Sequence, residues 1–285
     1  IRTLRRQLGD DAARPRFIET APKHGYRFIA AVDADGETQP VEPAPARSTA
    51  RGGRLTSAAL LGLAGTLGGA LAGAVYALLG VSDPPGADAT SGLGAASVML
   101  VMTCLAAFAG LLGGAGAGGG AAAGQLATER AGVWSAAGGA LGGLLVGSFI
   151  KLLGVDAFGL LFGTVPSGIT GGGEAALLGG AVGASAWWAG RAPMRLGAAA
   201  ALAALLTGAA GLIVGLLGGR LMAGSLDALA GSFPASRLDM NRVANLFGAA
   251  ELGPVSLTVL NGLEAALFGA CVVGAMTLAR RRLRP

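Results

Sequence analysis

Six apolar stretches, at about 57–81, 95–118, 132–153, 173–190, 196–218 and 255–279, constrain this chain more than any other feature of it. Most reach the ~20 residues needed to cross ~30 Å of hydrocarbon at ~1.5 Å per residue. A soluble helical bundle would need polar helix faces, and these stretches are apolar all round. Composition agrees: 13% of residues are charged and 53% apolar, against about 25% charged in an average soluble domain. So apolar a chain is not disordered throughout. The fold expected is mainly α, a six-helix polytopic membrane bundle over 55–280. Within it, the glycine run 113–124 is where a helix is expected to fray or break.

Charge orients the bundle. With the N-terminus inside, residues 1–54, Arg130, Arg191, Arg195 and the arginines of the tail lie in the cytoplasm. That places seventeen of the 21 Lys/Arg inside, and only Lys151, Arg220, Arg237 and Arg242 outside. The positive-inside rule selects this arrangement, with both termini cytoplasmic and 281–285 a basic tail.

The apolar part repeats. Residues 67–80 read LGGALAGAVYALLG and residues 141–154 read LGGLLVGSFIKLLG, and they align without a gap. A third copy begins at Gly211 as GLIVG, matching GLLVG from Gly143. Each copy carries glycines four apart: Gly65, Gly69 and Gly73; Gly139, Gly143 and Gly147; Gly211, Gly215 and Gly219. That spacing sets them on one helix face, where backbones can approach closely. The even-numbered stretches repeat more faintly, as LAAFAG from Leu105, EAALLG from Glu174 and EAALFG from Glu264. Three tandem helical hairpins are expected, and their glycine faces make a homodimer through the membrane plausible.

Glu174 and Glu264 occupy matching places in this repeat. Intramembrane carboxylates are costly enough to mark function by default, so one reading makes them a protonatable or cation-binding sensing pair. The other places both near the outer ends of their spans, reaching interfacial water. The external loop 219–254 has its own periodicity, with Leu221, Met222, Leu226, Leu229 and Phe233 on one face. A second amphipathic stretch follows Pro234. Two interfacial helices on the outer leaflet are expected, either meeting an external ligand or forming a plain lid.

Catalytic and metal chemistry find no purchase. One His and two Cys, Cys104 and Cys271, form no ligand cluster, and the cysteines read as small buried hydrophobes. The glycine-rich runs are not followed by the Lys-Ser/Thr of a phosphate loop. No catalytic residue, metal or cofactor is expected, and the chain is not read as an enzyme.

The N-terminal 54 residues differ in kind. Ile1–Leu8 reads as a basic amphipathic helix with Gly9 as its stop. Phe17–Thr20 and Tyr26–Ala30 read as β-prone runs around a basic tip, Pro22-Lys23-His24-Gly25. Residues 33–54 are a Pro/Ala-rich linker, an extended tether, whose Arg47, Arg51 and Arg54 suit topology and anionic lipid. The strings LRRQLGDD, Pro15–Thr20 and Gly25–Phe28 resemble the C-terminal part of the OmpR/PhoB-type winged helix-turn-helix domain. The match covers 1–32, about a tenth of the chain.

That resemblance implies a recognition helix for the major groove and a wing beside it. Arg2, Thr3, Arg5 and Arg6 would belong to the helix's DNA side, and Lys23, His24 and Arg27 to the wing. Leu4, Leu8, Ile18, Tyr26 and Phe28 would be core. The family's N-terminal sheet, first two helices and start of the recognition helix are not in these residues. The chain begins with Ile, and its natural start is expected to lie upstream.

A winged helix joined to membrane spans resembles the ToxR/CadC-like membrane-integrated regulators of the bacterial inner membrane. It departs from them in having six spans. The leading expectation is a membrane-tethered transcription regulator whose partners are DNA, the bilayer and an unknown signal ligand. A small channel or transporter with a vestigial wing is the alternative, and a purely structural oligomerising domain a third.

Overall fold

The computed structural model describes residues 1–21, 25–30, 59–71, 74, 92–127, 131–165, 168–191, 194–232, 248 and 252–283. The chain divides into two compact units, Ile1–Thr49 and Ala50–Pro285.

In the first unit, helix α1 (Arg2–Leu8) ends where expected. Gly9 takes a left-handed conformation, φ 63°, which a residue without Cβ adopts at no steric cost, and Asp10 N–H donates to the Arg5 carbonyl at 2.8 Å. Strands β1 (Ile18–Ala21) and β2 (Gly25–Phe28) pair antiparallel, from Ile18 opposite Phe28 to Ala21 opposite Gly25. The hairpin is the expected one, shifted by about one residue. Ile18 is buried at 4% exposure, but Leu4, Leu8, Tyr26 and Phe28 lie exposed instead of forming the expected core. A seven-residue helix and a hairpin of two four-residue strands are too small to cover them.

Asp10 ties the helix end to the strand. Its carboxylate accepts N–H bonds from Arg16 (2.6 Å), Phe17 (3.2 Å) and Ile18 (2.8 Å). Desolvation pushes this carboxyl up, but the three N–H donors and the nearby Arg5 outweigh it and hold it below the usual aspartate value of 3.8. The depressed folded value makes the tie present above pH 3.8 and lost as pH falls through that lower value. Asp10→Ala is expected to speed hydrogen exchange at the Arg16, Phe17 and Ile18 amides at neutral pH. Equal protection in wild type and variant would remove Asp10 from this role.

The second unit is helical: α2 (Ala59–Leu71), α3 (Gly92–Gly114), a π-helical turn (Ala115–Gly119), α4 (Gly120–Ala127), α5 (Ala131–Phe162), α6 (Gly172–Arg191), α7 (Leu196–Leu216), α8 (Met222–Ser232) and α9 (Pro254–Leu283). Four segments are long and apolar enough to cross a membrane: Thr103–Leu126, Gly132–Phe162, Leu196–Leu216 and Pro254–Arg282. Four of the six expected spans therefore stand as apolar helices of spanning length among the described residues, and most of the first span beyond Leu71 lies outside them. Helix α2 has only thirteen described residues, and in α6 six glycines, two tryptophans and Glu174 dilute the apolar character.

Boundaries move too. Helix α5 runs past the expected end at 153 to Phe162, because Val155–Phe162 continues the apolar run but for Asp156, and it stops at Gly163 (φ 65°). Its 32 residues span about 48 Å, longer than the ~30 Å core, so in a bilayer it tilts or protrudes. The glycine run neither frays nor breaks. It stays helical through one π-helical turn in which Gly116, Ala117 and Gly118 are buried.

Packing is inverted relative to a soluble protein. The core is built of Ala, Gly and Val, and its largest fully buried side chain is Met276. Leu141, Leu145, Phe149, Leu160 and Leu205 face outward. Water would penalise so large an apolar exterior, whereas lipid does not, and small residues between helices are the membrane solution. The same logic corrects Cys104, which is exposed on α3 while Cys271 is half-buried: a thiol can face lipid.

The glycine stripes join the helices pairwise. A Cβ on Gly69 would fall on the Gly110 carbonyl of α3, one on Gly139 on the Gly179 carbonyl of α6, and one on Gly143 on the Ala175 carbonyl. Between α7 and α9 a Cβ on Gly211 would meet the Asn261 carbonyl and Ala265, and Gly269 abuts Thr207. In the repeat alignment Gly139 matches Thr207 and Gly179 matches Gly269, so the second and third hairpins share this contact. The first packs one helical turn out of step. Gly73 lies outside the described residues.

At the far end of α9, Arg280 reaches across the bundle. It donates to the Ala186 carbonyl of α6 (2.6 Å) and to Gln125 Oε1 of α4 (2.8 Å). Gln125 donates in turn to Ser135 Oγ (2.9 Å), and fully buried Ser135 donates to the Gly183 carbonyl (2.8 Å).

Candidate functional site

Among the described residues of the second unit, a dense polar construction begins where α7 ends. Gly218 (φ 78°) breaks the helix, and Gly219 N–H returns to the Val214 carbonyl at 2.8 Å. With Gly218 N–H on the Gly215 carbonyl (3.0 Å), this is a Schellman-type cap. The chain then starts α8 inside the unit, with Leu221 5% exposed and Ala223 fully buried. That first turn does not lie on the surface as the interfacial reading of 219–254 expected. Phe233, the last residue of that face, and the second amphipathic stretch after Pro234 lie outside the described residues.

A buried helix start leaves N–H groups without partners, and α9 provides them. Asn261 Oδ1 accepts Leu221 N–H (3.1 Å), while its Nδ2 donates to the Gly219 carbonyl (3.1 Å). Glu264 accepts Met222 N–H on Oε2 (2.8 Å) and Ala223 N–H on Oε1 (2.9 Å). Asn261 and Glu264 are three apart and share a helix face. A carboxylate across a helix N-terminus is favoured by charge-assisted bonds and by the helix dipole.

The loop before α6 completes the construction. Thr170 Oγ1 donates to the Arg220 carbonyl (2.9 Å), and Thr170 N–H donates to Ser225 Oγ (3.0 Å). Glu174 Oε2 accepts Gly171 N–H (3.0 Å) at the start of its own helix, and its Cγ lies 3.1 Å from the point where a Gly219 Cβ would stand. Both predicted glutamates therefore border the stretch 219–223, each serving a helix N-terminus. Sequence reading missed Asn261, Thr170 and Ser225. Asn261 was detectable as a polar residue one turn from Glu264 in an apolar run.

Beside this construction lies a cavity of about 400 Å³ between α3, α5, α6, α8 and α9. Its wall is apolar except for Lys151, Thr170, Ser225 and Glu264. Among the described residues, no group of three or more His, Cys, Asp or Glu gathers to hold a metal.

In the first unit, Arg2, Thr3 and Arg6 are exposed on α1. Arg5, expected on the DNA side, is turned inward. It donates to the Ile18 carbonyl (3.0 Å) and Thr20 Oγ1 (2.9 Å), and stacks 5.6 Å from the Tyr26 ring centre. It is a strut between helix and hairpin, beside the tie that Asp10 makes to the same strand. Arg27 pairs with Glu19 at 2.6 Å on the surface, a bond of the kind that contributes ~0–1 kcal/mol and yields readily to a competing anion. Lys23 and His24 lie outside the described residues.

The chain matches no protein-family model, no curated protein and no solved structure.

Proposed function

We propose that this protein is a membrane-tethered transcription regulator of the bacterial inner membrane. Its N-terminal residues belong to a winged helix that reads DNA in the cytoplasm, and a bundle of six spans anchors it and senses a signal. The observation that carries the reading is the order of elements in residues 2–28. A basic helix stopped by Gly9 leads into an antiparallel hairpin, and the sequence of both resembles the end of an OmpR/PhoB-type domain. Arg2, Thr3 and Arg6 are the exposed groups left to meet a phosphate backbone, with Arg27 able to join them.

The test uses the natural gene product, including whatever precedes Ile1. Its DNA affinity is expected to fall steeply with added salt, and Arg2→Ala and Arg6→Ala each to reduce the log–log salt slope by about one. Arg5→Ala is expected to loosen the hairpin first. A salt-independent or absent mobility shift would sink the reading.

One observation favours a second reading as a small channel or transporter: the cavity, with Lys151 and Glu264 in its wall. Solute flux through proteoliposomes holding the protein, with no DNA binding, would place that reading first.

A further inference from the structure

The cavity is made by missing side chains. Gly113 and Gly154 line it, and neither is needed for close helix packing. A Cβ on Gly113 would meet only the Phe268 ring at 3.4 Å, and one on Gly154 only Ile169 at 3.8 Å. This separates them from Gly139 and Gly143, whose added Cβ would strike backbone carbonyls. What Gly113 and Gly154 leave behind is space, walled by Val146, Ile150, Phe158, Leu178 and Phe268. At about 400 Å³ the space falls in the ~300–1,000 Å³ range of small-ligand sites.

The polar groups of the wall are unequally occupied. Both oxygens of Glu264 accept N–H groups at the start of α8, so its charge faces the positive end of a helix. Thr170 and Ser225 bond to each other and to backbone. Lys151 differs: among the described residues its ammonium makes no hydrogen bond and no ion pair within 4.0 Å. Glu174 comes near the same place, since its Oε2 and Lys151 Nζ each lie 3.2 Å from a Cβ built on Gly171; that oxygen accepts Gly171 N–H and makes no ion pair with Lys151 within 4.0 Å. An exposed lysine on a span-length helix, at the edge of an apolar cavity and with no ion pair within 4.0 Å, is open to a charge-assisted bond with an anion that enters there.

We infer that this cavity binds an amphiphilic anion, its apolar body in the space opened by Gly113 and Gly154 and its acidic head paired with Lys151. The chemistry is that of a fatty-acid carboxylate or of an acidic phospholipid. The inference stands on the second unit alone and holds whether or not residues 1–30 meet DNA.

The experiment is photolabelling of the full chain in phosphatidylcholine nanodiscs with a diazirine-bearing fatty acid, followed by peptide mapping. Dodecanoate, dodecanol and dodecylamine serve as competitors. The label is expected on Val146, Ile150 or Phe268, with dodecanoate competing roughly tenfold better than dodecanol, the gain of about one ion pair. Lys151→Gln should erase that advantage and leave dodecanol unchanged. Gly113→Val should reduce labelling whatever the head group.

A parallel set of nanodiscs containing phosphatidylglycerol separates the two sources. If that lipid blocks the label and co-purifies with wild type but not with Lys151→Gln, the occupant is a bilayer lipid; if it does not compete, the occupant is a free acid. Equal competition by all three head groups would overturn the inference. So would an unchanged preference in Lys151→Gln, or label scattered over the outward-facing leucines, which would mean that Lys151 only reaches interfacial water.

Discussion

Gly143→Val is expected to leave little folded protein after extraction into mild detergent. The first carbon of the new side chain would stand on the Ala175 carbonyl of α6, and the same holds for Gly139 against Gly179. Ordinary overpacking costs ~1–3 kcal/mol because neighbouring side chains rotate aside. A helix carbonyl has no such freedom, so the whole α5–α6 pair must separate, and the expected loss exceeds that range. Gly197→Ala is the control, since a Cβ there meets nothing within 4 Å. Thermal unfolding followed by size-exclusion chromatography reads both. A Gly143→Val protein that elutes and melts like wild type would show that the stripe is not the contact surface.

The second large effect is expected at Glu264. Glu264→Ala removes two charge-assisted bonds to the start of α8, each in the class worth ~1.5–3 kcal/mol. Two N–H groups are then left in an apolar setting. Helix α8 should detach at its first turn while α7 and α9, joined through Gly211 and Gly269, stay paired. Hydrogen exchange at Leu221–Ala223 should rise by orders of magnitude with little change in α9. Glu264→Gln keeps one acceptor oxygen and should fall between. If the two variants exchange alike and like wild type, Glu264 does not hold α8.

Much of the membrane unit was legible because its signals are local. An apolar run of twenty residues announces a helix without reference to anything distant, and glycines four apart announce the face on which it packs. The hairpin pairing followed from the repeat, and the contact of Gly139 with Gly179 and of Thr207 with Gly269 agrees with that reading. What local signals do not carry is the partner of a polar side chain. Glu264 was singled out, but its partners, Met222 and Ala223, lie some forty residues upstream, on a helix expected to rest on the surface. Asn261 went unnoticed because one amide in an apolar run has no period.

The resemblance had a comparable limit. It marked Arg5 as a DNA contact from its position in a string, while in the structure Arg5 serves Ile18, Thr20 and Tyr26. Helix length was misjudged for a different reason. An apolar connection and an apolar helix look the same until a capping glycine such as Gly163 tells them apart.

The reach of Arg280 has a consequence for the order in which the molecule is made. Two of its partners, Gln125 and the Ala186 carbonyl, belong to α4 and α6, which leave the ribosome long before the last turn of α9. Until then the earlier helices can assemble side by side through their glycines, yet Gln125 Oε1 and the Ala186 carbonyl wait without this donor. The guanidinium therefore acts as a late clasp, arriving after the parts it fastens. Assembly in the bilayer becomes a process with a defined last step, and a nascent chain arrested just before Arg280 should hold its helices together more loosely than one released a turn later.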